Sequence, residues 1–209
     1  KSSAKPKFSH LFSKSRAVNY LSAARLFLFA ARDVWFVVAL PVYLSSALGW
    51  DHWAVGAFLA SWILGYGMVQ SVAPRLTGRG DADVPDGRVA SGWAAVLALV
   101  PAAIAVALHE DALMPYSLLI GLLVFGVLFA VNSALHSYLI VSYADEAAVS
   151  LDVGFYYMAN AMGRLLGTVL SGWVYQSQGL AACLWVSSGF LLVSAVISRA
   201  LPRHNKASE

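Results

Sequence analysis

Apolar and polar positions alternate along the chain in long blocks, and six hydrophobic runs stand out. They cover about Ala17–Ala47, Trp53–Pro74, Val89–Leu108, Met114–Val141, Ala147–Tyr175 and Leu180–Ala200. About 20 apolar residues suffice for one helix to cross a hydrocarbon core of ~30 Å. Turn residues or charges separate the runs: Gly49-Trp50-Asp51-His52, Arg75 to Arg88, His109-Glu110-Asp111, Ser142 to Asp152 and Gln176 to Gly179. In lipid every backbone donor must be paired inside the protein, so such runs are helices with little freedom to be anything else. The pattern predicts an all-α polytopic membrane protein with six transmembrane helices. The first, fourth and fifth runs are longer than a perpendicular crossing needs, so tilts or kinks are expected, with Pro41, Gly121 and Gly126 as candidate kink points.

Composition agrees with this reading. Hydrophobic residues make up 59% of the chain and charged residues 12%, about half the charged share of a soluble domain. The single cysteine, Cys183, lies in an apolar run, which excludes an internal disulfide, argues against a zinc site and fits a buried inert thiol. No metal, cofactor or nucleic-acid partner is expected; the implied surroundings are a lipid bilayer. Residues 1–16 are basic and polar, and the apolar stretch behind them is too long for a signal peptide. They read as a cytoplasmic linker of a longer protein, followed by a bundle over 17–200 and a cytoplasmic tail over 201–209.

Direction follows from the basic residues. The N-terminal tail, the Arg75/Arg79/Arg88 loop and the tail with Arg199, Arg203 and Lys206 hold eleven of the fourteen Lys and Arg. With six crossings these segments share one side, and the three loops of the other side carry neither residue. The positive-inside rule then places both termini in the cytoplasm, in an inner (plasma) membrane. Trp50, Trp53, Tyr116, Trp173 and Tyr175 fall at the outer interface, and Trp93, Tyr138 and Tyr143 near the inner one.

Topology does not account for Arg25, Arg32 and Arg164, which lie inside predicted spans with Asp33 beside one of them. A charge near the bilayer centre costs about 2.5–3.5 kcal/mol on the insertion scale, so such residues face a bundle interior or a wet cavity. Arg25 and Arg32 are two helical turns apart on one face. Asp33 should find its partner on another helix, because adjacent residues point about 100° apart. Asn132 and His136 share a face of the fourth span, and Asn160 and Arg164 a face of the fifth. Each has a bland reading as well: Arg25 snorkelling to the interface, Arg164 bonding a neighbouring carbonyl near Gly163 and Gly167, Asn132 and His136 as helix–helix contacts. Taken together, basic and neutral polar groups outnumber the one carboxylate, and an excess positive cavity suits a small organic anion, phosphate-like oxyanions above all. Enzyme signatures are missing: no Gly-x-Ser-x-Gly, His-Glu-x-x-His or Walker-type loop occurs, so no enzyme is expected.

Six spans with cytoplasmic ends and a basic second loop resemble the C-terminal half of a major facilitator superfamily transporter. That family's second intracellular loop carries Gly…Asp-Arg-x-Gly-Arg; Pro74-Arg75-Leu76-Thr77-Gly78-Arg79 keeps the Arg and the Gly-Arg, without the Asp and with one extra residue. A denser resemblance runs from about Lys7 to Gln70. Phe12-Ser13-Lys14-Ser15-Arg16-Ala17, Leu21-Ser22-Ala23-Ala24-Arg25 and Ala31-Arg32-Asp33-Val34-Trp35-Phe36-Val37-Val38-Ala39-Leu40-Pro41 are similar to the ArsJ family of organoarsenical efflux permeases. The resemblance implies export of 1-arseno-3-phosphoglycerate, arsenate resistance, and a missing N-terminal six-helix half as partner. It also implies that the first and fourth spans line the cavity with Arg25, Arg32, Asn132 and His136, with Asn160 and Arg164 in support. Asp33 is then the proton-coupling group, with His136 second. A sugar-phosphate or phosphate antiporter of the same fold, or a non-transporting membrane assembly subunit, are the alternatives.

Overall fold

In the computed structural model, residues 15–76, 86–108, 115–144 and 149–202 are described. The predicted linker up to 14, the loop motif from Thr77 onward and the tail from 203 lie outside the described residues. The elements are α1 (Arg16–Phe36), α2 (Ala39–Ser46), α3 (His52–Leu76), α4 (Gly87–Ala107), α5 (Tyr116–Tyr143) and α6 (Val149–Arg199). No strand occurs among the described residues. The chain is thus the all-α membrane bundle that its hydropathy predicts.

Five stretches are long and apolar enough to cross a bilayer, with α1 and α2 counted as one over Arg16–Ser46. The sixth crossing is hidden in α6. Its 51 residues would reach ~76 Å if straight, more than twice the hydrocarbon thickness. Gly179 breaks it with φ 79° and ψ −174°, a conformation that glycine adopts without the steric cost of a Cβ. Contacts with α1 establish that the chain reverses there. Gly167 lies against Ala30, while the Ser187 hydroxyl donates to the carbonyl of Ala31 at 2.6 Å. Gly163 lies against Leu26, and Ser194 donates to Ala24 at 2.9 Å. Residues some 20 to 30 apart therefore meet the same turns of α1. The limbs 149–178 and 180–199 are two antiparallel crossings that both pack on α1, the first at Leu26 and Ala30 and the second at Ala24 and Ala31.

Pro41 breaks the first span as expected, but the break falls upstream, at Val37 and Val38. A proline ring clashes with the carbonyl four residues before it and supplies no N–H, so the helix is interrupted one turn earlier. The Ala39 N–H freed by the break donates to Ser171 Oγ of α6 at 3.0 Å, which satisfies a backbone group that lipid cannot. Gly121 and Gly126 do not interrupt their helix; α5 runs unbroken through both. They serve as contact seats instead. A Cβ at Gly121 would press into Ile104 of α4, and one at Gly126 would meet the Trp62 ring of α3 at 3.0 Å. Trp62 Nε1 donates to the Leu122 carbonyl on the same face at 2.9 Å.

One end of the bundle gathers the start of α1 and the end of α6. Val18, Leu21, Ala90, Leu139, Ile140, Tyr156 and Leu201 pack together there, and Tyr143 Oη donates to the Pro202 carbonyl at 2.9 Å. An even number of crossings requires this. The opposite end and middle hold the main core, in which Trp35, Phe36, Trp62, Phe125 and Phe129 interlock. The face of α3 is left open: only 11% of its crossing is buried, against 56% for α5. Ile63, Leu64 and Met68 of α3 and Met162, Leu165 and Val169 of α6 are exposed, so these faces are covered by lipid or by other protein.

Candidate functional site

Arg25, Arg32, Asp33 and Arg164 converge on α1, where they form two groups on either side of the ring of Phe29. In the first, the carboxylate of Asp33 is shared by two arginines. Arg32 Nε donates to Oδ1 at 2.6 Å and Arg164 Nε donates to Oδ2 at 3.3 Å. The direct pairing of Arg32 with its neighbour overturns the expectation that adjacent residues do not meet. The Nε–H lies partway along a long side chain and reaches sideways around the helix, while the guanidinium is held over Phe29 and Phe129 at 4.9 and 5.3 Å from the ring centroids. The expected partner from another helix is also present, as Arg164.

Glycines set this geometry. A Cβ on Gly167 would stand 2.7 Å from the Ala30 carbonyl oxygen and 2.9 Å from Asp33 Cβ. One on Gly163 would overlap the Leu26 carbonyl. Without side chains at these two positions, α6 lies backbone to backbone on α1, in the manner of small-residue contacts in membranes. Arg164, between them in sequence, then reaches Asp33. The triad is closed on one side and open on the other: the Asp33 side chain is 1% exposed, Arg32 13% and Arg164 57%. Both arginines engage Asp33 through Nε, and among the described residues their terminal nitrogens carry no bond.

The second group is centred on Arg25, which is 5% exposed. Its Nε donates to Asn160 Oδ1 at 3.1 Å, and its Nη1 donates to the Ser133 carbonyl and hydroxyl at 3.1 and 3.2 Å. The guanidinium lies 4.1 Å from the Phe29 centroid and 5.1 Å from that of Tyr156. Gln70 of α3 joins through a 3.3 Å bond to Ser133 Oγ. Arg25 therefore clasps α1, α5 and α6 rather than snorkelling to an interface. No carboxylate pairs with it among the described residues. His136 is fully buried and neither ring nitrogen has a partner among the described residues.

Two expected associations are rearranged. Asn160 and Arg164 serve different groups, the former Arg25 and the latter Asp33. Asn132 turns to the seam between α4 and α5, where Nδ2 donates to the Trp93 and Leu128 carbonyls at 3.2 and 2.9 Å. It bonds neither arginine. Phe29, Ser133 and Gln70 were not singled out by sequence reasoning. The positions 25, 29 and 32 fall on one helical face, which is the signal by which Phe29 was legible; Ser133 and Gln70 carry none.

Bundles of apolar crossings that keep their few charges on inward faces, around a partly open cluster, are membrane transporters by class. The profile of the Major Facilitator Superfamily matches residues 5–209, so the chain belongs to that superfamily. No curated protein sequence and no solved structure matches it.

Proposed function

We propose that this protein carries an organic anion across the membrane, and that the cargo is the organoarsenical 1-arseno-3-phosphoglycerate, moved out of the cell. The observation that carries the reading is the placement of Asp33 between Arg32 and Arg164, with Arg164 open to the exposed side. The terminal nitrogens of both guanidiniums are unbonded among the described residues, and a planar fork of donors is the group that best matches phosphate- or arsenate-like oxygens. The resemblance over Lys7 to Gln70 supplies the arsenical; the charges alone support an oxyanion ester. Arg32 and Arg164 hold the anion. Arg25 and His136 attract it from beneath Phe29, Asn160 acts by fixing Arg25, and Asn132 supports α5 from the α4 seam. Asp33 carries the coupling proton. On this reading the open faces of α3 and the first limb of α6 pack on six further helices, which complete the cavity.

Export of arsenical, scored with membrane abundance, tests the site. Arg164→Ala should lower export at least tenfold with abundance preserved, because Arg32 and Asp33 still pair with each other. Arg32→Lys keeps the charge but loses the fork and should weaken export while leaving insertion intact. Normal export by a well-expressed Arg32→Ala protein would remove Arg32 from the site.

The proposed orientation puts both termini in the cytoplasm. In a Cys183→Ala background, a cysteine at Asp51 or Glu110 should react with an impermeant thiol reagent added outside, and one at Thr77 should not. The opposite labelling pattern would reverse the topology.

A further inference from the structure

We infer that the cargo is held by two anionic ends, one on the Arg32–Asp33–Arg164 cluster and the other on Arg25 and His136, with the Phe29 ring as the spacer between them. This rests on the reading of the cluster as an anion site and adds what the far end of the same molecule must carry.

Both sides of Phe29 are positive. Two arginines and one carboxylate leave the cluster at a formal +1. Arg25 adds a second charge that nothing balances among the described residues. Its bonds go to the Asn160 amide and to the carbonyl and hydroxyl of Ser133, all of them neutral. Asp152, the nearest carboxylate in sequence on the same limb of α6, is more than two helical turns from Asn160. A clasp between three helices needs hydrogen bonds but no charge, and a guanidinium so enclosed without a counter-charge is costly.

The surroundings of Arg25 supply the second sign of a site. Its Nη2 is unbonded among the described residues. His136 is fully buried within electrostatic range of it, and both ring nitrogens lack a partner there. An anionic group supplies what both lack: a counter-charge for the guanidinium and an acceptor for the imidazole N–H.

Phe29 decides how far apart the two ends must be. The guanidinium of Arg25 stands 4.1 Å from the ring centroid and that of Arg32 stands 4.9 Å from it. The two are therefore no further apart than those distances laid end to end, yet the ring keeps a single oxyanion from bridging them. A short chain with an acidic group at each end can reach around it. The way round lies on α6, where Asn160 and Arg164 are one turn, about 6 Å, apart along one face. Arg164 is open and Asn160 half-buried. Turning that one amide aside uncovers Arg25 from the side on which Arg164 lies.

The test titrates the complete transporter, in nanodiscs of neutral phosphatidylcholine, with 3-phosphoglycerate, 2-phosphoglycerate and glycerol 3-phosphate. At about pH 7.5 the phosphates are dianionic. The two glycerates carry the same groups and differ in how far the carboxylate stands from the phosphate. The 3-isomer should bind at least about tenfold more tightly than the 2-isomer, the increment of one added charge-assisted pairing. Glycerol 3-phosphate, with a single anionic end, should bind about as weakly as the 2-isomer. Arg25→Gln should bring the ratio of the two isomers close to one and leave glycerol 3-phosphate within about threefold of its wild-type affinity. Asn160→Asp keeps the shape of the clasp and sets a carboxylate against Arg25, so it should collapse the ratio even if Arg25→Gln fails to fold. The ratio is the readout because the new carboxylate also stands one turn from Arg164 and weakens both isomers alike. Phe29→Leu should lower the ratio too, and an unchanged ratio there removes Phe29 as the spacer. Equal affinity of the wild type for the two isomers, or a ratio that survives Asn160→Asp, overturns the two-ended site and leaves the anion reading standing. Failure of all three phosphate esters to bind overturns the anion reading and the two-ended site with it.

Discussion

Alanine at Gly163 should cost the protein its packed α1–α6 seam, while alanine at Gly172 or Gly154 in the same limb should be harmless. The added Cβ at Gly163 would overlap the Leu26 carbonyl and stand 2.9 Å from its Cα. Those are backbone atoms, and they cannot rotate aside as the end of a side chain would. The helices must separate, and overpacking of this kind costs about 1–3 kcal/mol or more. At Gly172 and Gly154 a Cβ meets nothing within 4 Å, and exchanging a helical glycine for alanine there should gain about 0.5–1 kcal/mol. Gly167→Ala should fall between, by pushing on Ala30 and Asp33 at once. Thermal dispersion of the detergent-solubilised protein reads the order directly. Equal stability for the Gly163 and Gly172 variants would show that the seam is not closely packed.

Removal of Asp33 should damage the fold far more than removal of either arginine it holds. Asp33→Ala leaves Arg32 and Arg164 inside the membrane without a counter-charge, at about 2.5–3.5 kcal/mol for each cation that finds no water. Arg164 is half in the open and can recover hydration; Arg32 cannot, and most of the loss belongs to it. Arg164→Ala, by contrast, leaves the 2.6 Å Arg32–Asp33 pair intact and neutral. The double replacement of Arg32 and Asp33 by alanine should therefore be better tolerated than Asp33→Ala by itself, since a buried pair removed whole costs less than one partner stranded. Membrane abundance and thermal dispersion of the three proteins form the cycle. A double variant no more stable than Asp33→Ala would mean that the two residues do not depend on each other.

Most of the architecture is readable from the chain itself, and the reason is the solvent. Lipid leaves a backbone no alternative to the helix, so six apolar runs, their polar breaks and the intramembrane positions of Arg25, Arg32, Asp33 and Arg164 follow from hydropathy with hardly any tertiary information. Even the turn between the last two crossings is marked, by Gly179 at the end of a polar break. The Pro41 break could also be anticipated, though its location four residues upstream follows from the ring's clash with the Val37 carbonyl rather than from the proline's own position.

What the chain alone could not decide was which polar groups meet. Helical periodicity fixes the face on which a residue lies, but not how far a flexible side chain leans from it. Arg32 bends back to its own neighbour because two aromatic rings from α1 and α5 hold its guanidinium there. Asn160 and Arg164, four apart on one face, go to different partners because Phe29 stands between the two clusters. Gly121 and Gly126 look like kinks in one dimension and prove to be seats for Ile104 and Trp62 in three. The reach of Arg164 to Asp33 depends on the closeness of two backbones at Gly163 and Gly167, a distance set by the packing of α1 on α6 and written in no local pattern. Hydropathy determined the crossings, because each helix answers to lipid on its own; the pairing of charges was decided only when those helices packed, because each pair belongs to two of them.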